Sequence, residues 1–184
     1  MAVSLRDSHA QFLAHLKQAG KAQATVIAYS KDIEQLVESL EETGKSDVSQ
    51  ITSADIEQFK DALKRKRYTS KSISRKINSI KAYFRHLISE GLIASNPADE
   101  VAHPKFDQAP PRVLSKLEYR ALRDAARGDV RMSAVIELLL QTGMRISELA
   151  AMELTDVDFD RSVITIQPQD SRGSRRVPMN AAAK

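Results

Sequence analysis

The sequence predicts a mainly α protein in two units: a four-helix bundle, a Pro-rich linker, and a smaller α+β unit carrying one β-hairpin. Three observations lead there. Apolar residues recur at helical spacing in four successive stretches of about the first 90 residues. A proline-dense segment follows, with Pro97, Pro104, Pro110 and Pro111. Beyond it, further helical stretches give way to the alternating β-branched run SVITIQ. The expected bounds are 1–95 for the bundle, 96–113 for the linker and 114–184 for the second unit.

Each element has its own signal. From Ser4 to Ala19, Leu5, Phe12, Leu13 and Leu16 make an apolar side, and Gly20 stops the helix. The next stretch puts Val26, Tyr29, Ile33, Leu36, Val37 and Leu40 on one face and ends at Gly44. The third opens on Ser53 as a cap, with Asp55 and Glu57 in the first turn, where the helix dipole favours acids. In the fourth, Ile73, Ile77, Ile80, Phe84, Leu87 and Ile88 repeat at helical spacing before Gly91. Tyr29 and Tyr83 read as core residues. After the linker, SKLEYRALRDAARG is a capped helix, VRMSAVIELLLQTG an apolar helix closed by Gly143, and RISELAAMEL a short helix. SVITIQ and a second short strand near Arg176 to Met179 form the hairpin, with a turn at Gly173, and AAAK begins a further helix.

Composition narrows the function. The chain has no Cys, so it has neither a disulfide framework nor a Cys-type zinc site. Its N-terminal stretch carries charges and histidines throughout, unlike a signal peptide, and no apolar run reaches membrane-span length. A soluble, cytoplasmic, nucleoid-associated protein is expected. Net charge is only +4, but Ala62 to Ser89 holds nine Lys or Arg and no Asp or Glu, while the other 156 residues carry a net −5. One short segment therefore supplies all the excess positive charge, which points to a polyanion partner.

On the fourth helix the side opposite the apolar stripe carries Lys71, Ser74, Arg75, Asn78, Lys81 and Arg85. Lys and Arg neutralise phosphates, Ser and Asn donate to phosphates or base edges, and a helix fits the major groove. A charge run is ordinarily a solvated face, but solubility alone favours mixed signs, and this one has no acids. The predicted interface with double-stranded DNA is Ser70, Lys71, Ser74, Arg75, Asn78 and Lys81, with Lys64, Arg65, Lys66 and Arg67 as general phosphate contacts.

The second signal is an arginine directly after a helix stop. Gly143 can take a positive φ and end its helix abruptly, leaving Arg145 at the start of the next. An arginine held by such a turn offers a planar fork of donors suited to phosphate, and helix N-termini add donors of their own. Glu148, three residues on, can hold the guanidinium. A surface ion pair and a helix-turn-helix reading of TGMRISELAAMELTDVD remain open at this point.

LLLQTGMRISELAAMELTDVDFD closely resembles the first catalytic box of the tyrosine recombinases, the phage-integrase family. TVIAYSKDIEQLVESL, SKSISRKINSIKAYFRHLISEGLIASNPADEVAHPK and RVLSKLEYRALRDAA resemble that family's SAM-like core-binding domain, linker and the start of its catalytic domain, in order. The resemblance covers essentially the whole chain. It implies cutting and rejoining of DNA through a 3′-phosphotyrosyl intermediate, with no metal or other cofactor. It implies four protomers on two DNA sites, with the helical domain clamping one face of the duplex. It makes Arg145 the clamp on the scissile phosphate and Glu148 the acid supporting it.

Two departures qualify it. The family places a general-acid lysine on the hairpin. ITIQPQDSRGSRRVPMN has none, and Arg172 stands in the most similar place. An arginine pKa is too high for easy proton donation, so contact with DNA is the alternative role for Arg172. The family also needs a His-x-x-Arg box and a nucleophilic tyrosine after the hairpin. The chain's tyrosines are Tyr29, Tyr68, Tyr83 and Tyr119, and no His or Tyr follows Arg145. The expectation is a truncated catalytic domain whose chain binds duplex DNA without cutting it, as a monomer or a weak associate. A non-catalytic DNA-binding regulator, or a competitor for recombination sites, is the alternative. Steep salt dependence separates both from a protein-binding bundle with an incidental basic face.

Overall fold

The computed structural model describes residues 3–106, 110–168 and 173–181. The chain divides into two compact units, Met1–Gln108 and Ala109–Lys184.

The first unit is built from α1 (Leu5–Gln18), α2 (Gln23–Glu42), α3 (Ser53–Arg65) and α4 (Ser70–Ser89). The starts of α1, α3 and α4 are set by side chains that satisfy the free N–H groups of a first turn. Ser4 Oγ accepts the Asp7 N–H at 3.0 Å, and Thr69 Oγ1 accepts that of Ser72 at 3.2 Å. The cap of α3 is Thr52 rather than Ser53, because the Asp55 carboxylate reaches back to the Thr52 N–H at 2.7 Å. Phe12, Ile33, Leu36, Ile56, Ile73, Ile77, Ile80, Phe84 and Leu87 are buried together. Tyr83 joins them, its hydroxyl 2.6 Å from Ser8 Oγ, while Tyr29 lies partly buried, stacked on Phe12. Ile88 departs from the expected stripe and is 37% exposed. At 100° per residue it has rotated off the line through Phe84 and Leu87, and Tyr83 widens the buried face on the other side.

The stretch expected as an extended linker begins as a turn docked on this unit. Ala98 and Val101 are buried in its core. Lys60 Nζ donates to the Ala102 carbonyl at 3.3 Å and Lys81 Nζ to that of Asp99 at 3.2 Å. Proline bars helix here, but it does not bar burial of the apolar residues between prolines.

The second unit holds α5 (Lys116–Ala125), α6 (Val130–Thr142) and α7 (Ile146–Ala150), with strands β1 (Val157–Asp158), β2 (Val163–Ile166) and β3 (Arg175–Pro178). Ser115 and Glu118 cap α5 reciprocally. The sheet is antiparallel in the order β1-β2-β3, with Ile164 opposite Val177 and Ile166 opposite Arg175. β1 was not expected, since two residues carry no periodicity. Met144, Ile164, Ile166 and Met179 form a small buried cluster, against which Leu138, Leu139, Leu149 and Met152 pack. The helix expected from AAAK and the hairpin position of Arg172 fall on residues 182–184 and 169–172, outside the described residues. Among the described residues, no helix is long and apolar enough to cross a membrane.

Candidate phosphate site and DNA-binding face

The second unit aims an arginine by the means its sequence suggests. Gly143 ends α6 with φ 64°, a left-handed conformation that costs a side-chain-bearing residue about 1–2 kcal/mol. Met144 then drops into the small core, and Arg145 emerges as the N-cap of α7 with extended backbone. Glu148 bends back to close the turn. Its Oε2 accepts the Arg145 N–H at 2.8 Å and its Oε1 accepts Nη1 of the same arginine at 3.1 Å. The Glu148 side chain is only 4% exposed, whereas that of Arg145 is 53% exposed. A buried carboxylate thus holds one edge of a guanidinium whose remainder faces solvent, with donors to spare for a phosphate.

A third residue completes the cluster. Arg175, the first residue of β3, binds Glu148 with both terminal nitrogens, Nη1 to Oε1 and Nη2 to Oε2, each at 2.7 Å. Four N–H donors therefore surround one carboxylate. The Arg175 hydrogen bonds, followed by the Arg145 backbone N–H, pull the Glu148 carboxyl down to about 2. The same pair raises the Arg175 guanidinium above its ordinary value. Arg175 was not singled out from sequence, although a signal existed. Period-two alternation sets Arg175 on the same side of the strand as Val177 and Met179, and a charge on the inward side of a strand calls for a partner.

The basic residues of the first unit divide by what holds them. Arg65, the last residue of α3, and Lys66 and Arg67 just beyond it are exposed, with Arg67 at φ 60° in the turn to α4. Lys64 pairs with Asp61 at 2.7 Å. On α4, Lys71, Asn78 and Arg85 are exposed, and Ser70 is half-buried in the first turn. Ser74 and Lys81 are partly occupied by the docked turn: Ser74 Oγ lies 3.0 Å from His103 Nδ1, and Lys81 binds the Asp99 carbonyl. Lys76, counted in the basic run, is not on the surface. It is 4% exposed and its Nζ donates to Asp32 Oδ1 at 2.8 Å and to Gln35 Oε1 at 2.7 Å. Its position on the helix turns it toward α2 and an acid that the charge count over α4 alone could not include.

That acid is the second residue missed from sequence. Asp32, 1% exposed, accepts Arg75 Nη1 at 2.5 Å, Arg75 Nη2 at 2.9 Å, Lys76 Nζ at 2.8 Å and Ser79 Oγ at 2.7 Å. The Arg75 side chain remains 50% exposed, so it is anchored at one edge and open at the other. Asp32 interrupts the apolar stripe of α2 between Tyr29 and Leu36, and an acid there needs a cation from a neighbouring element. Among the described residues, no group of three or more His, Asp or Glu is placed to hold a metal.

Comparison with known proteins agrees with these two units. The phage integrase N-terminal SAM-like domain matches residues 10–91, and the phage integrase family model matches residues 112–184. The chain is 30% identical, over 97% of its length, to a tyrosine recombinase XerC of Roseiflexus sp. (strain RS-1), covering 59% of that protein. It is 33% identical, over 94% of its length, to a tyrosine recombinase XerC of Xanthomonas campestris pv. campestris (strain B100), covering 54% of it. The chain thus spans between half and three-fifths of these relatives. Its fold resembles that of a lambda integrase tetramer bound to a Holliday junction, with TM-score 0.80 and 20% identity over 99% of this chain and 53% of that one. It also resembles the Tn1549 transposon integrase in complex with transposon right end DNA, with TM-score 0.76 and 22% identity over 98% of this chain and 62% of that one. At these identities the structural likeness is one of fold.

Proposed function

The chain belongs to the phage integrase family of tyrosine recombinases, and on that premise we propose that it binds duplex DNA for site-specific recombination and presents Arg145 to a DNA phosphate. The observation that carries this is the pose of Arg145: half exposed, two residues after a left-handed glycine, with one edge held by a buried carboxylate. A surface ion pair needs no such burial of its acid. The exposed residues Lys66, Arg67, Lys71, Arg75, Asn78 and Arg85 supply contacts to the DNA backbone, and Ser74 and Lys81 join them from the rim of the docked turn.

We assign strand cleavage to a nucleophile outside these residues, because the family places its tyrosine after the hairpin and Tyr29, Tyr68, Tyr83 and Tyr119 all precede Arg145. Tyr83 is fully buried and bonded to Ser8, and the Tyr119 hydroxyl accepts Gln141 Nε2 at 2.7 Å. The part of the basic residues and of Arg145 is to grip DNA and to stabilise charge on a phosphate, as preorganised donors do in phosphoryl transfer. The cutting step belongs to a protein that adds the family's tyrosine to these residues.

The test is a binding titration with a fluorescent duplex across salt concentrations, together with a nicked suicide duplex. Association that falls steeply with salt, and no covalent adduct, is the expected result. Salt-insensitive binding overturns the DNA grip, and an adduct formed by this chain alone overturns the assignment of cleavage elsewhere.

A further inference from the structure

Glu148 poses an electrostatic problem for a phosphate site. The carboxylate that aims Arg145 also neutralises it, and a neutral pair has little attraction for an anion. The structure contains an answer on a different element. Arg175 binds the same carboxylate in bidentate fashion from β3, and its side chain is still 37% exposed. Two guanidiniums on one carboxylate leave the cluster with a net charge of +1, matched to the −1 of a single phosphodiester.

We infer that Arg175 is a phosphate-site residue: it takes up the charge of Glu148 so that Arg145 meets a DNA phosphate as an uncompensated cation. The inference rests on the reading of Arg145 as a phosphate ligand. Three further features support it. The geometry divides the work, since Arg175 uses both terminal nitrogens on Glu148 while Arg145 spends only Nη1 and its backbone N–H there. Among the described residues, the Arg145 Nη2 and Nε donors therefore stay available. The carboxyl, held at about 2, stays ionised at neutral pH, so the charge of the cluster does not drift with protonation. Finally, Arg175 faces Ile166 across β2 and β3, so its bonds to Glu148 tie these strands to the turn carrying Arg145. A substitution at 175 should therefore act on phosphate affinity, well beyond any effect on local packing.

The experiment compares the unaltered chain with Arg145→Gln, Arg175→Gln, Arg175→Lys and the double variant Glu148→Gln/Arg175→Gln. Each is titrated with a fluorescent mixed-sequence duplex at several salt concentrations, and folding is checked by thermal melting. Removing one cation that serves a phosphate lowers the slope of log K against log salt by about 0.9. Arg175→Gln should show that drop, as Arg145→Gln does, and Arg175→Lys should keep the slope. The double variant is the decisive arm. Replacing Glu148 as well returns the cluster to +1, with Arg145 free, so the slope lost in Arg175→Gln should be recovered. That variant leaves no buried charge unpaired, which keeps the test open if Arg175→Gln folds poorly. A purely structural Arg175 predicts the reverse: an unchanged slope with a lower melting temperature, or a double variant no better than the single one. Either result overturns the inference alone. Failure of the unaltered chain to bind DNA in a salt-dependent way overturns the proposed function on which it rests.

Discussion

The two units solve one problem in the same way and to different ends. Each contains a carboxylate buried to within a few per cent and surrounded by four donors from two basic side chains and a smaller group. In the bundle, Asp32 takes Arg75, Lys76 and the Ser79 hydroxyl, all from one stretch of α4. In the second unit, Glu148 takes the Arg145 side chain and backbone N–H from its own turn, and Arg175 from β3. The difference lies in the second cation. Lys76 is buried with Asp32, so that pairing is part of the helix–helix interface. Arg145 and Arg175 both reach solvent, so that pairing holds charge at the surface. The same cluster of charges joins two helices where one of its cations is enclosed, and carries charge to the surface where both are presented.

The strongest way to break the comparison is Asp32→Ala. It strands Lys76 in the core, and removing one partner of a buried pair typically costs about 3–5 kcal/mol. A urea melt should show that loss. A stability within about 1 kcal/mol of the original chain would mean that Lys76 escapes to solvent and that Asp32 is no adhesive. Ser79→Ala removes one hydroxyl donor from the same carboxylate and should cost about 1.5–3 kcal/mol in the same melt, the usual range for a hydrogen bond to a charged group.

Glu148 gives an effect conditional on pH. Its folded-state carboxyl titrates near 2, below the 4.5 of a free glutamate. The unfolded chain therefore takes up this proton first as pH falls. The stabilisation is complete above about 4.5 and is lost progressively toward 2. Melting temperatures of the original chain and Glu148→Gln, followed from pH 6 to pH 2, should converge over that window. A constant difference between them would sever the pairing from folding. The smallest effect on stability sharpens the contrast from the other side. Lys71 is exposed on α4, so Lys71→Ala should leave stability within about 0.5 kcal/mol and yet lower the salt slope of DNA binding by about 0.9. An unchanged slope would remove Lys71 from the DNA face.

Most of the helical architecture was legible in the chain because helices announce themselves locally. The spacing of Ile73, Ile77, Ile80, Phe84 and Leu87 marked the buried face of α4, and Ser115 with Glu118 marked the start of α5. The turn at Gly143 and the approach of Glu148 to Arg145 were also readable, since a glycine stop and a three-residue spacing are local facts. The errors share a cause. Lys76 was counted in the basic run without its buried acid, and Asp32 and Arg175 were passed over, because their partners lie 44 and 27 residues away along the chain.

The sequence by itself determined where helices start and stop, which faces are apolar, and that one arginine would stand at the tip of a turn. Only the tertiary structure decided which charges are spent inside and which are shown outside. Periodicity and capping act over one or two turns, whereas an ion pair exists only after packing brings two distant segments within about 3 Å. That is why Asp32 found α4, why Glu148 found β3, and why the charge count along the chain overstated the charge that α4 shows at its surface.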